Sequence, residues 1–216
     1  MSVVEILYTS FKKALPDSEY SYYLKQLPPL LQEKNLRFLR WQDRHLNLFG
    51  KLLLCQGLSK YGYDQKILEK LTYNKYSRPY LNKDLDFNIS HSGEYVICAI
   101  GKNVKLGVDI EEIKEIDFNN FKQVMTEQQW EDIYQSSNPT KAFFKYWTIK
   151  ESMIKADSRG LSIPLLDIHV KDNLAYYNNQ NWYLKEIVID ENYCSCITTN
   201  KQEVDIKLIE TDFANR

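Results

Sequence analysis

The sequence predicts an α+β fold built from two pseudo-symmetric lobes with a cleft between them. Trp41-x-x-Arg44 in one long helical stretch matches Trp147-x-x-Lys150 in another, about half the chain later. Each stretch is followed by strand-like segments, and no Gly/Ser/Pro-rich linker separates the halves, so the lobes should pack tightly. The alternative is two unrelated amphipathic helices that share a tryptophan. If the repeat is real, we expect lobes over 1–102 and 103–216 and an active site in the cleft.

Composition limits the class of protein before any motif is considered. The chain has 216 residues, is 44% hydrophobic and carries a net charge of −1. It is long enough for a sizeable core and shows no electrostatic bias toward nucleic acid. No apolar run approaches the roughly 20 residues that cross a bilayer, and the first residues lack the features of a signal peptide. We therefore expect a cytoplasmic protein that binds neither nucleic acid nor membrane.

The cysteines are interpreted as free, buried thiols. They show no metal-ligand spacing, and only three histidines accompany them in the chain. Buried free cysteines usually act as small hydrophobic side chains in the core. The four are Cys55, Cys98, Cys194 and Cys196.

The elements follow from hydrophobic periodicity, helix caps and turn residues. A long amphipathic helix should begin after Pro28 and Pro29, and Thr126 with Gln129 forms a capping box that starts a later helix. Residues 76–80 are expected to be loop, because Pro79 disfavours helix in the residue before it. The predicted helices are 31–58, 119–124, 126–134 and 140–156. The predicted strands are 3–9, 87–90, 95–101, 106–111, 167–170, 182–189, 193–198 and 204–209.

Two stretches carry the residues of a candidate site. In a predicted strand, Asp109 and Glu111 are two residues apart and point the same way. In a predicted helix, Trp147, Glu151 and Lys155 are spaced i, i+4, i+8 and share one face. Bringing the two together would gather three carboxylates beside a lysine. Three carboxylates suit Mg²⁺, which substrate phosphates commonly complete. The sequence thus predicts a site for phosphate chemistry, with Asp109, Glu111 and Glu151 as the metal ligands.

Three motifs stand in register along the chain. They are Asn88-Ile89-Ser90-His91-Ser92, Gly107-Val108-Asp109-Ile110-Glu111 and the helical stretch from Trp147 to Lys155. Their order and separations resemble those of the 4′-phosphopantetheinyl transferases, specifically the surfactin-synthetase-activating (Sfp-type) group. The resemblance is dense from 78 to 170 and looser from 29 to 60.

The resemblance implies an activity. It is transfer of the phosphopantetheine arm of coenzyme A to a serine of an apo acyl or peptidyl carrier protein, with release of adenosine 3′,5′-bisphosphate. It also implies a monomer with the fold of that family. Glu151 and Lys155 are then the catalytic candidates. Glu151 would accept the serine proton, with a water or a metal-bound hydroxide as the alternative base. Lys155 would neutralise phosphate charge; its alternative is a surface pair with Glu151 worth about 0.2–0.5 kcal/mol.

The resemblance also implies contacts to coenzyme A. The candidates are Lys34, Arg44, Arg78, Ser90, His91 and Lys155. Ser90 and His91 would contact phosphates. Arg44, with Arg40, is a candidate for the 3′-phosphate because guanidinium groups bind phosphate in a fork, and a solvated helix face is the alternative. The best-known members carry a further basic residue where this chain has Leu46.

Other functions are weighed against this one. A catalytically silent carrier-binding module on the same fold, or a purely structural protein, would leave the full set of acidic and basic site residues unexplained. A magnesium-dependent phosphotransferase acting on another nucleotide would be expected to have a Gly-rich phosphate loop, and the chain holds only seven glycines. The sequence leaves the carrier open among those of fatty-acid, polyketide and non-ribosomal peptide (antibiotic) biosynthesis.

Overall fold

Two 19-residue helices, one in each half of the chain, cover two separate sheets. A computed structural model describes residues 2–81 and 84–213. Its helices are α1 (Asp17–Leu24), α2 (Pro29–Leu36), α3 (Trp41–Ser59), α4 (Glu127–Gln135) and α5 (Pro139–Asp157). The long pair is α3 and α5. The predicted α+β class and the two-lobed arrangement are confirmed.

The strands form two main sheets and a two-stranded ribbon. The strands are β1 (Ser2–Ser10), β2 (Thr72–Tyr73), β3 (Pro79–Tyr80), β4 (Leu85–Ser92), β5 (Tyr95–Lys102), β6 (Leu106–Glu112), β7 (His169–Lys171), β8 (Leu174–Tyr177), β9 (Gln180–Glu186), β10 (Tyr193–Thr199) and β11 (Val204–Glu210). The first sheet has the order β11-β1-β5-β4 and the second β6-β10-β9-β8-β7. Neighbours are antiparallel except β1 and β11, which are parallel.

The two sheets share a core on the faces that their helices do not cover. On β5, Cys98 packs toward α3, whereas its neighbours Ile97 and Ala99 pack between the sheets. A strand buried on both faces needs an apolar run rather than an alternating pattern, which is what β5 has. On β6, Val108 and Ile110 enter the same intersheet core. The alternate residues of β6 therefore face α5.

The single long helix predicted over 31–58 is wrong, because the chain breaks between α2 and α3. Side chains from both helices satisfy the backbone around the break. Arg44 Nε donates to Phe38 O at 2.8 Å, and the buried Asn35 Nδ2 donates to Arg44 O at 2.8 Å. Apolar residues continue at helical spacing on both sides of the break, so periodicity alone could not locate it.

Other predicted elements differ less. The helix over 126–134 is α4, with the predicted capping box at Thr126. The helix over 119–124 is a 3₁₀ turn at Phe118–Phe121. Within the stretch expected to be loop, β3 pairs with β2. The sequence analysis missed α1, which has few apolar residues, and β8, whose four residues are too short to show a period. The four cysteines are free and buried, as predicted.

The last strand crosses the expected division of the chain. A boundary at 102/103 separates β1–β5 from β6–β10, but β11 lies beside β1 in the first sheet. The division itself stays a prediction. None of the described helices combines the length and the apolar character needed to cross a membrane.

Candidate active site

The two sheets meet where β4 and β6 run side by side, and side chains of β4 bridge the gap. Asp86 accepts from Leu106 N at 2.9 Å and Asn88 from Val108 N at 2.9 Å. Farther along, Ser92 Oγ accepts from Glu112 N at 3.1 Å. We call the four alternating residues Asp86, Asn88, Ser90 and Ser92 the side-chain ladder. Because every second residue of a strand points the same way, the whole ladder faces β6 and aligns the two lobes.

Gly107 sets the distance between β6 and the helix α5, which carries Trp147, Glu151 and Lys155. A methyl group on this residue would overlap the backbone atoms Ser152 O and Ala156 N of α5. Only glycine allows so close an approach of strand and helix. The sequence analysis quoted Gly107 as part of a motif without a role. Its role is to bring the functional face of α5 onto β6.

Asp109 and Lys155 form a buried ion pair at the centre of the junction. Lys155 Nζ lies 2.5 Å from Asp109 Oδ1 and 3.0 Å from Ser90 Oγ, and Ser90 Oγ donates to the same Oδ1 at 2.7 Å. Asp109 is 2% exposed. Burial raises the pKa of Asp109, and the positive charge of Lys155 acts in the opposite direction. Ser90 thus joins the first sheet to a pair that belongs to the second.

Glu111 is held by one side chain from each lobe. Trp147 Nε1 donates to Glu111 Oε1 at 3.1 Å, and Ser92 Oγ donates to Glu111 Oε2 at 2.8 Å. Outer partners of this kind fix the orientation of a functional carboxylate. The sequence analysis placed Trp147 on the right helix face but did not assign it this contact, and it missed Ser92.

Glu151 is half-buried on the same face of α5. Burial raises the pKa of Glu151 to about 7, Lys155 opposes that shift, and the negative charges of Asp109 and Glu111 add to it. The structure therefore brings together the strand carboxylates and the helix residues that the sequence analysis selected.

These carboxylates have the donor chemistry for Mg²⁺ but are not gathered as a ready metal site. Within the described ranges, no three acidic, histidine or cysteine side chains are placed to hold an ion as they stand. However, the buried Oδ2 of Asp109 has no hydrogen-bond partner among those residues, and an orphaned buried oxygen is costly. A cation there would relieve that cost and the mutual repulsion with Glu111 and Glu151. The donor set fits, and ligation stays a prediction.

The basic residues expected to contact coenzyme A are dispersed. Arg44 caps the break before α3 through Phe38 O, and Lys34 is exposed on α2. Arg78 Nη2 donates to Asp86, Phe87 O and Leu106 O at 2.8–3.2 Å, so it stabilises the junction from within. Coenzyme A roles for all three stay predictions, with structural roles as their competitors.

His91 lies on β4 between Ser90 and Ser92, out of step with the ladder, and lines a cavity of about 350 Å³ between α3 and β4. Desolvation lowers the pKa of His91, and the positive charge of Lys155 lowers it further. His91, on the cavity wall, is therefore close enough to the Asp109–Lys155 pair to be influenced by the charge of Lys155. The other two histidines do not line this cavity. His45 is buried between Trp41 O and Leu15 N, and His169 is exposed on β7.

Lys150 is a structural residue of α5. It is fully buried, and its Nζ donates to Val124 O at 2.6 Å and to Leu165 O at 2.8 Å. Burial lowers the pKa of Lys150 to about 8. Its ammonium holds the segments before α4 and after α5 against the helix.

The fold and site define a protein of two α+β lobes whose acidic and basic site residues come from both lobes at their junction. A family model described as the 4′-phosphopantetheinyl transferase superfamily matches residues 105–205, and one described as the 4′-phosphopantetheinyl transferase N-terminal region matches 15–103. The chain belongs to the 4′-phosphopantetheinyl transferase family.

Individual relatives agree with this assignment. The chain is 30% identical to 4′-phosphopantetheinyl transferase gsp of Aneurinibacillus migulanus over 90% of this chain and 85% of that protein. It is 31% identical to 4′-phosphopantetheinyl transferase Sfp of Bacillus subtilis over 74% and 72% of the two chains. A mouse L-aminoadipate-semialdehyde dehydrogenase-phosphopantetheinyl transferase is 27% identical over 68% of this chain and 53% of its own length.

Proposed function

We propose that this protein transfers the 4′-phosphopantetheine arm of coenzyme A to a serine hydroxyl of an apo acyl or peptidyl carrier protein. In this reaction the serine oxygen forms a bond to the β-phosphorus of the pyrophosphate, the bridging P–O bond breaks, and adenosine 3′,5′-bisphosphate leaves. The single observation that carries the proposal is the Ser90–Asp109–Lys155 network at the junction of the lobes, in a chain of this family. A silent carrier-binding module gains no support from the relatives, which are named as transferases.

Asp109, Glu111 and Glu151 would hold Mg²⁺. The orphaned Oδ2 of Asp109 and the repulsion among the three charges support this assignment. When bound, the metal would offset the negative charge of the pyrophosphate oxygens. The partners Trp147 and Ser92 would keep Glu111 oriented through the reaction.

Lys155 and His91 would bind phosphate oxygens. Lys155 pairs with Asp109 at the junction, and a substrate phosphate would compete with Asp109 for its three N–H donors. Since charge grows on the phosphate oxygens as the P–O bond breaks, an ammonium fixed beside them lowers the barrier. His91, on the cavity wall, would donate a hydrogen bond to the same group of oxygens.

Glu151 is assigned a second role as the acceptor of the serine proton, directly or through a water. Its position on the face of α5 that carries Lys155 supports this assignment. The variant Glu151→Gln separates the two roles. Loss of a base lowers kcat at saturating Mg²⁺, whereas loss of a ligand raises the Mg²⁺ concentration needed for half-maximal rate.

The proposal also includes the lobe boundaries, the oligomeric state, the cellular location and the partners of the protein. The division into lobes 1–102 and 103–216 is supported by the two family models, which match 15–103 and 105–205. We propose a monomer acting in the cytoplasm, without nucleic acid or membrane as a partner, and with coenzyme A as co-substrate.

Intact mass spectrometry of an apo carrier protein tests the reaction. The carrier is incubated with this protein and coenzyme A, with Mg²⁺ or with EDTA. A gain of one phosphopantetheine mass that EDTA prevents is the expected result. A gain that persists in EDTA would contradict the metal assignment alone. If fatty-acid, polyketide and peptide carriers all stay unmodified while coenzyme A still binds, the transferase proposal fails.

A further inference from the structure

Lys51 on α3 is a half-buried lysine without a partner. In the part of the chain that the structure describes, its ammonium makes no hydrogen bond or ion pair. Burial lowers the pKa of Lys51, and the nearby positive charge of Lys34 lowers it further. The Nζ of Lys51 is not among the buried unpartnered atoms of these residues, so solvent reaches the ammonium, and no protein anion pairs with it.

The nearby thiols do not supply that anion. Cys55 and Cys98 lie close enough to influence Lys51 if they were thiolates. Burial raises the pKa of Cys55 to about 11 and that of Cys98 to about 12, so both are neutral at pH 7. The two lysines, Lys34 and Lys51, therefore form a like-charged pair that no thiolate neutralises.

Lys51 lines the same cavity as His91. Asp43, Asn47 and Lys51 are four residues apart along α3 and share the helix face that forms one wall, and β4 forms the other. Asp43 is the acidic residue of this wall, and its charge acts on His91 rather than on Lys51. His91 in turn follows Ser90, which contacts Asp109 and Lys155. A ligand with one anionic group bound to Lys155 and another in the cavity would therefore lie next to His91.

We propose that Lys51 binds the 3′-phosphate of coenzyme A in this cavity. The proposal rests on the proposed function, which puts the pyrophosphate beside Lys155. The remaining anion of coenzyme A is then the 3′-phosphomonoester, whose charge of nearly −2 matches two lysines. Leu46, at the position where the resemblance led us to expect a basic residue, lines the same cavity one turn before Lys51. In this chain the basic residue of the cavity wall on α3 is therefore Lys51, and not a residue at position 46.

Binding of coenzyme A and of 3′-dephospho-coenzyme A to the full chain tests the proposal by isothermal titration calorimetry. Lys51→Met keeps the length and helix propensity of the side chain and removes its charge. We expect coenzyme A binding to weaken about 10- to 100-fold, as for loss of a charge-assisted hydrogen bond. Binding of 3′-dephospho-coenzyme A should change less than threefold, roughly the scatter of such effects. Lys51→Arg keeps the charge and should retain the preference for coenzyme A.

Lys60→Met is the matched control. It changes the net charge by the same amount, but Lys60 pairs with Glu5 at 2.9 Å at the far end of α3. It should leave both affinities unchanged. An equal loss for the two ligands in Lys51→Met would overturn the proposal, because the contact would then be to another part of coenzyme A. No loss would overturn it as well. If the wild-type protein binds neither ligand, both this inference and the proposed function fail.

Discussion

The 19-residue helix of each lobe carries a lysine next to the core, Lys150 fully buried and Lys51 half-buried, and the two have opposite surroundings. Lys150 of α5 donates to two backbone carbonyls and holds two segments in place. Lys51 of α3 has no such acceptor and faces a cavity. The second lobe also holds the ion pair of Lys155 and Asp109. In the first lobe, the ammonium of Lys51 is therefore available to bind a ligand in the cavity.

Under the proposed function, this difference would let the two lobes divide one task. Catalytic groups must be held in a fixed geometry before substrate arrives, which internal ion pairs and hydrogen bonds provide. Ligand-binding groups gain affinity when the ligand supplies the missing partner, because the cost of the unpaired charge disappears on binding. We therefore expect changes in the second lobe to alter turnover or stability, and changes in the first lobe to alter affinity.

The largest expected effect tests the catalytic half of this comparison. Asp109→Asn should lower turnover about 10²- to 10³-fold, a typical loss for one preorganised electrostatic group. Coenzyme A binding should change much less than in Lys51→Met. Steady-state transfer to an apo carrier and calorimetric binding measure the two quantities. Glu112→Gln, on the same strand but the opposite face, is the control. Wild-type turnover of Asp109→Asn at limiting Mg²⁺ would remove Asp109 from the site.

A second prediction compares the two glycines at which a helix approaches a strand. Gly107→Ala would push α5 away from β6 because its methyl group meets backbone atoms. We expect a loss of about 3 kcal/mol in the free energy of unfolding and about 10²-fold in turnover, as for other small misplacements of catalytic groups.

Gly50→Ala is the first-lobe counterpart. Its methyl group would lie 3.2 Å from the side-chain atom Ile89 Cγ2, which can shift. Alanine also gains about 0.8–1 kcal/mol of helix propensity over glycine. The net change in the free energy of unfolding should stay within about 1 kcal/mol. Denaturant titrations measure both variants. If Gly107→Ala and Gly50→Ala lowered the free energy of unfolding equally, the two lobes would not differ in how closely the helix packs on the strand.

A third prediction concerns the stability effects of the two lysines themselves. Lys150→Met leaves Val124 O and Leu165 O without their donor and should lower the free energy of unfolding by about 2 kcal/mol. Lys51→Met removes an unpaired charge and should leave the stability of the ligand-free protein unchanged or slightly raised. Thermal and denaturant unfolding without ligand measure the pair. Destabilisation by Lys51→Met as large as that by Lys150→Met would mean that Lys51 has a structural partner.

The sequence by itself determined the elements that depend on local patterns. The period-2 spacing of Asp109 and Glu111 and the i, i+4, i+8 spacing of Trp147, Glu151 and Lys155 identified two faces of the candidate site. The capping box at Thr126 located the start of α4. These predictions succeeded because backbone geometry fixes which side chains share a face, whatever the strand or helix packs against.

Only the tertiary structure decided how those faces meet and what completes them. The ladder from Asp86 to Ser92, the overlap that keeps Gly107 a glycine, and the unpaired ammonium of Lys51 all depend on contacts between residues distant in the chain. The break before α3 and the return of β11 to the first sheet were also absent from the local pattern. Hydrophobic periodicity reports that a residue is buried, but it does not say which distant group is buried against it.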